Sequence, residues 1–370
     1  MRFVNKSILV LGFLAGSWFL TSCGAQFTNT PRFALVLDNS SAGAATGSVS
    51  VFSVVRGTGV LSPLGKSVQT GVNPAAIASD LHGRLLYVAN ADDGTVSAYG
   101  INRTTGNISV SPNSPFTTGS NPISLAIDGR TRFLFVANNG SSSISVFAIN
   151  RTNASLKQVS GSPFSTSTSA GPMSLAVAAS GKFLYVASGT SGTVVFSVSS
   201  SGALAMVSQQ PLPSGILSAS ALALSPNGKF LYVVDGDATV SAYAVDSASG
   251  KLTLIGSPVL TGDQPAAVVV DPLNRYVYTA NQGSSDVSAY SINADGSLTQ
   301  ISGSPFATGN QPLEITVDPS SRFVYTANFG DQDVSVFTIG AGTGSTSTPG
   351  ALSMVGTTAA STPESMTITR

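Results

Sequence analysis

Tyr87-Val88-Ala89-Asn90, Phe135-Val136-Ala137-Asn138, Tyr185-Val186-Ala187-Ser188, Tyr232-Val233-Val234-Asp235, Tyr278-Thr279-Ala280-Asn281 and Tyr325-Thr326-Ala327-Asn328 are six copies of one block, spaced by 46 to 50 residues. A degenerate copy, Leu35-Val36-Leu37-Asp38, precedes the first by 52 and makes seven. Self-similarity at this period marks a repeat architecture, in which no unit buries its apolar face alone and neighbours must stack. The 370 residues are therefore expected to form one array rather than two or three unrelated domains.

Working outward from one copy gives the unit. Pro122 to Ile127 reads as a small-residue strand, followed by an Asx-type turn at Asp128 to Thr131. Phe133 to Ala137 is apolar on both faces, as a strand sandwiched between neighbouring sheets must be. Asn138-Asn139-Gly140 turns into a third strand, Ser143 to Ile149. A polar loop then leads to Leu156 to Val159, the most hydrophilic strand, which ends in Gly161-Ser162-Pro163-Phe164. Four short strands in a unit of this length are the signature of a propeller blade.

The two ends of the array fix its topology. The first unit begins directly with its second strand at Arg32-Phe33-Ala34-Leu35-Val36, whereas Pro363 to Ile368 aligns with the first strand Pro122 to Ile127 and has no second strand after it. The reading is an all-β, seven-bladed propeller spanning residues 32–370, closed by a C-terminal strand that completes the first blade and so removes exposed sheet edges. The run Gly340 to Gly350 lengthens a loop of the last blade with linker composition and is assigned no role.

Residues 1–22 differ from the rest. Arg2 and Lys6 are basic, Ile8 to Leu20 is almost wholly apolar, and Leu20-Thr21-Ser22-Cys23 closes the run, as in a secretory signal. This closing sequence resembles the bacterial lipobox, which implies that Cys23, the single cysteine, is acylated and becomes the mature N-terminus, with residues 23–31 as a lipidated tether. The implied location is an exported, membrane-anchored lipoprotein at the outer membrane or cell surface, facing the periplasm in one arrangement. Gly24 after the cysteine resembles outer-membrane retention.

The Tyr-Val-Ala-Asn blocks, the turns Asp271 to Arg275 and Ser225 to Lys229, and the Val-Ser-Ala-Tyr strands that follow resemble the YVTN and lactonase-type seven-bladed propellers. That family includes a class of 6-phosphogluconolactonases. The resemblance covers residues 32–370 and implies the same fold. It implies activity less directly, because enzymatic members commonly carry a His after the Pro that opens a first strand. Here Ala75, Ile123, Met173, Ala266, Leu313 and Glu364 hold that place, and the only histidine, His82, falls in a turn on the opposite face.

With 9% charged residues and a formal net charge of zero, composition offers no basic footprint for nucleic acid and no acidic field. One His and an acylated Cys cannot supply three ligands to zinc, and no metal or cofactor is expected. On the propeller plan, Asn73, Asn121, Gln264 and Gln311 stand at the channel mouth before the Pro of a first strand. Asn90, Asn138, Asp235, Asn281 and Asn328 end second strands on the same side. A ring of amides suits hydroxyl-rich ligands, and the same residues also suit plain turn geometry.

Glu314 is one of only two Glu in the chain and replaces a small residue held elsewhere by Ala76, Ser124, Ser174, Ala221, Ala267 and Ser365. Facing the channel, it is the candidate general base for opening a lactone. Alternation directs Glu364 to the other face. Two functions stay open: a binding or scaffolding lipoprotein for a glycan, sugar lactone or envelope protein, and a lactone hydrolase using Glu314.

Overall fold

Each repeat folds into an antiparallel sheet, and in most blades the turn between the first two strands carries a side chain that closes it. In blade 3, Pro122–Ile127, Phe133–Asn138, Ser143–Ile149 and Leu156–Gln158 pair in chain order. The turn between its first two strands is held by the Asp128 carboxylate, which accepts the N–H groups of Arg132 and Phe133. Asp80, Asp271 and Asp318 hold the N–H groups of Leu85, Tyr276 and Phe323 in the same way at 2.8–3.0 Å. Ser225 substitutes in blade 5, its hydroxyl accepting from Phe230. The computed structural model describes residues 31–39, 46–236, 238–342 and 348–369. The signal, Cys23, its tether up to residue 30, and Asp237 lie outside the described residues.

The fourth strand departs from expectation in three blades. It is split in two, as Leu156–Gln158 and Phe164–Ser165 in blade 3, and both pieces pair with the third strand. The Ser of the Ser-Pro turn between them fills the gap in the ladder. Ser114, Ser162 and Ser304 accept the N–H groups of Ala98, Val146 and Ala289 at 2.8–2.9 Å, so no strand donor is orphaned.

The core lies between blades. Seven apolar clusters each join two successive blades; one, for example, unites Tyr87, Val96 and Ala98 of blade 2 with Leu134, Val136 and Phe147 of blade 3. The second strands are buried along nearly their whole length, which explains why they read as continuous apolar runs. A glycine in the turn between third and fourth strands locks six of the seven interfaces. Gly296 has φ +90°, its carbonyl accepts from the Tyr232 hydroxyl of blade 5 at 3.1 Å, and an added Cβ would stand 2.3 Å from the Phe230 ring. Blade 3 has Ala154 at the matching place, φ +64°, and there the preceding blade offers Leu85 instead of an aromatic ring.

The seven first strands touch in sequence around a central channel and close on themselves, Pro363–Ile368 lying between Pro312–Val317 and Pro74–Ser79. Pro363–Ile368 pairs with Phe33–Asp38, so the C-terminal strand completes blade 1. Arg32 bridges to Asp318 at 2.7 Å, and the Tyr325 hydroxyl donates to the Gly59 carbonyl at 2.9 Å, both across the closing seam. All these pairings fall within residues 31–369. The loops into the first strands and those between second and third strands make one face, the mouth face; the remaining turns make the far face.

Candidate functional site at the channel mouth

In blades 2, 3, 6 and 7 the loops that open the first strands share the pattern Thr-Gly-x-Asn/Gln-Pro. The residue before each Pro is left-handed, with φ +50° to +53° at Asn73, Asn121, Gln264 and Gln311, a conformation amide residues tolerate better than most. The carbonyls of these four accept the N–H groups of Ala91, Asn139, Gln282 and Phe329 at 2.9–3.1 Å, tying the loops to the second-to-third-strand turns. Their side chains are exposed on the mouth face. Asn73 bonds to Asn39 and Asp92, while Asn121, Gln264 and Gln311 have no side-chain partner among the described residues.

The second-strand amides are placed elsewhere. Asn90, Asn138, Asn281 and Asn328 are fully buried, and both ends of each amide are engaged inside the protein. Asn281 Nδ2 donates to Asp286 at 2.6 Å and Ser288 at 2.9 Å, and its Oδ1 accepts from Thr279 at 3.0 Å. Asn90 bonds Thr95 and Ser97 and accepts from the Gly71 N–H; Asn138 and Asn328 each bond two third-strand groups. Asp235 is 1% exposed and accepts from Thr239. These five residues clamp second to third strands and do not line the mouth, contrary to expectation: they are buried, and the four Asn tuck beneath the Thr-Gly loop.

The signal for this was present in the sequence. Gly71, Gly119, Gly262 and Gly309 each precede the clamp Asn by 19 residues, and a Cβ on any of them would meet that Asn side chain at 2.5–2.7 Å. In blades 4 and 5, where Ser188 and Asp235 replace the Asn, the Thr-Gly pair is missing too.

Within this rim the channel opens as a cavity of about 350 Å³, lined by the first-strand residues of all seven blades. Its lining is mostly Ala, Ser and aliphatic side chains, with two exceptions, Glu314 and Glu364. That both reach the cavity corrects the alternation argument. A bulge after Pro363, like those after Pro74, Pro122, Pro265 and Pro312, pairs Pro363 with Asp38 and Ser365 with Leu37, so Glu364 is an extra residue and does not flip to the other face.

Glu314 Oε1 accepts from its neighbour Ile315 N–H at 3.1 Å, and Oε2 from the Ser365 hydroxyl of blade 1 at 3.2 Å. Glu314 is half-buried at the cavity wall. Burial pushes it up to about 7, against the opposing pull of those two donors. Burial also raises Glu364, with the Asn39 amide pulling the other way. No Lys or Arg lines the cavity. Among the described residues ten carboxylates lie on the mouth face and no Lys or Arg accompanies them there, so the mouth lies in an acidic field that the balanced composition concealed. His82 is exposed in a far-face turn, as expected.

Comparison with known proteins gives one family. The family model described as Lactonase, 7-bladed beta-propeller matches residues 38–162, 212–305 and 287–364. A search of curated proteins by sequence finds no match. Among solved structures, a Bacteroides fragilis protein described provisionally as a 6-phosphogluconolactonase is 20% identical, covers 93% of this chain and 99% of its own, and superposes with a TM-score of 0.76. The Pseudomonas aeruginosa periplasmic gluconolactonase is 18% identical over 92% of this chain and 99% of its own, also with a TM-score of 0.76. A functionally unknown Desulfotomaculum acetoxidans protein is 15% identical over 91% and 98%, with a TM-score of 0.70. At such identities the likeness is one of fold.

Proposed function

Because this chain belongs to the lactonase family of seven-bladed β-propellers, we propose that its channel mouth binds one small, uncharged, hydroxyl-rich ligand: a sugar, the end of a glycan or a sugar lactone. The lining carries this reading. A cavity of about 350 Å³ holds a single sugar-sized ring, Glu314 and Glu364 accept hydrogen bonds from hydroxyl groups, and the exposed amides of Asn121, Gln264 and Gln311 add neutral donors at the rim. A phosphorylated sugar is disfavoured, since its dianion would meet two carboxylates and no Lys or Arg.

One observation favours a second reading, hydrolysis of a neutral lactone. A carboxyl raised to about 7 is half ionised near neutral pH, the condition that suits a general base. Glu314 would take a proton from water as that water's oxygen adds to the lactone carbonyl. The ring C–O bond then breaks, the leaving oxygen takes the proton back from Glu314, and the product is an open hydroxy acid. The Pseudomonas protein is a periplasmic gluconolactonase, which fits a neutral lactone met outside the cytoplasm.

The chain works, in this proposal, as an exported lipoprotein held to the outer membrane or cell surface by acyl chains on Cys23. Palmitate labelling that persists in Cys23→Ala would refute that anchor. For the site, calorimetric titration with neutral sugars and lactones beside phosphorylated ones is run together with proton-release assays, in the wild type and in Glu314→Gln. Binding of neutral ligands only is the expected result. Turnover that disappears in Glu314→Gln selects the hydrolase, binding without turnover selects the binder, and a preference for phosphorylated ligands overturns both.

A further inference from the structure

The two faces of the propeller carry opposite charge, although the formal net charge of the chain is zero. Every described Lys and Arg lies on the far face or, for Lys66 and Lys157, on an outer strand. Twelve sit in far-face turns against six Asp. Four of those Asp, namely Asp80, Asp128, Asp271 and Asp318, are buried within their own turns, which leaves Asp246 and Asp295 as the exposed acids. Eight of the twelve cations are exposed, among them Arg84, Arg130, Arg151, Lys182, Lys229 and Lys251. Val55, Leu81 and Leu273 stand exposed between them, at 45%, 45% and 59%, and a headgroup interface accepts such apolar side chains.

The path of the chain supplies the second argument. It reaches the propeller at Pro31 and Arg32, just before the second strand of blade 1, and this point is on the far face. Only seven residues separate Pro31 from Cys23, so even a fully extended tether keeps this face within about 28 Å of the anchor. That reach exceeds the Debye length of about 8 Å at physiological salt, so the tether keeps the far face close to the bilayer and contact itself falls to the charges of that face.

We propose that the far face docks on the anionic lipid headgroups of the membrane that holds the chain, so that the channel mouth points away from the bilayer. The proposal rests on the lipoprotein reading for its tether, but the docking surface belongs to the propeller itself. It gives the charge segregation a role: the cationic face orients the molecule, and the acidic mouth is turned by repulsion toward solvent and ligand.

The test uses residues 31–370, which contain every described strand and its partners and lack Cys23, so a failure of acylation leaves it unaffected. Co-sedimentation is measured with phosphatidylcholine vesicles containing 30% (roughly one lipid in three) phosphatidylglycerol and with pure phosphatidylcholine, at low and high salt. Expected is binding to the anionic vesicles alone, weakened at least tenfold by high salt and lost in Arg84→Gln/Arg151→Gln/Lys182→Gln/Lys251→Gln. A fluorophore on Ser201→Cys, in a far-face turn, should be quenched by a headgroup-linked quencher, and one on Ser120→Cys, on the mouth face, should not. Equal binding to both vesicle types, binding unchanged in the quadruple variant, or quenching of the mouth-face probe overturns the proposal. Retention on heparin without binding to anionic vesicles also overturns it and directs attention to a polyanionic macromolecule.

Discussion

Glu314 is a residue that the fold would be more stable without at neutral pH. Its carboxyl is raised from the usual 4.5 to about 7 by burial, so between those values the folded protein holds a proton that the unfolded chain has released. The stabilisation from that proton is complete below pH 4.5 and is lost as pH rises through 7. Glu314→Gln should therefore raise stability at pH 8 by on the order of 2 kcal/mol, allowing for channel water, and should flatten the pH dependence between pH 4.5 and 7. Thermal melts of both proteins across pH 4 to 8 check this. Parallel curves would mean that the carboxyl is well solvated and has no special basicity. A side chain that costs stability where Ala or Ser stands in other blades is the mark of a site kept for function.

At the scale of the element, the clamp between second and third strands explains why the repeat block ends in Asn. A single buried amide both donates and accepts, which neither a carboxylate nor a hydroxyl can do with the same geometry. Asn281→Ala removes three side-chain bonds and leaves buried Ser288 and Thr279 without that partner, so it should cost about 2–4 kcal/mol. Gln311→Ala, which removes an exposed amide of the rim, should change stability by less than about 0.5 kcal/mol. Urea unfolding midpoints of the two variants give the contrast. Equal losses would contradict the division of the amides into buried clamps and a free rim.

The whole molecule depends on closure. Each apolar cluster needs two blades, and the cluster joining blades 7 and 1 includes Met366 and Ile368 from the last strand. Deleting residues 363–370 strips that cluster and bares the edge of Phe33–Asp38. The expected outcome is a large fall in melting temperature accompanied by self-association, seen together by scanning calorimetry and size-exclusion chromatography. An unchanged melting curve would show that the ring does not need its last strand.

Repeat number, strand order and closure were legible in the sequence because they depend on periodic burial, and burial leaves its mark on residue type every 46 to 52 positions. Tyr87 to Asn90 and its six relatives were enough to count the blades, and the unmatched strand at Pro363 to Ile368 was enough to close them. Placement was another matter. A bulge after Pro363 brought Glu364 into the channel against strict alternation, and the Thr-Gly loop covered Asn90, Asn138, Asn281 and Asn328 that looked free to meet a ligand. Balanced composition likewise concealed an acidic mouth and a basic far face, because counting charges carries no information about which turn each one occupies. Apolar periodicity along the chain specified a closed seven-bladed ring; which polar side chains face water was settled in three dimensions, since that depends on how a turn in one blade lies over the strand end beside it.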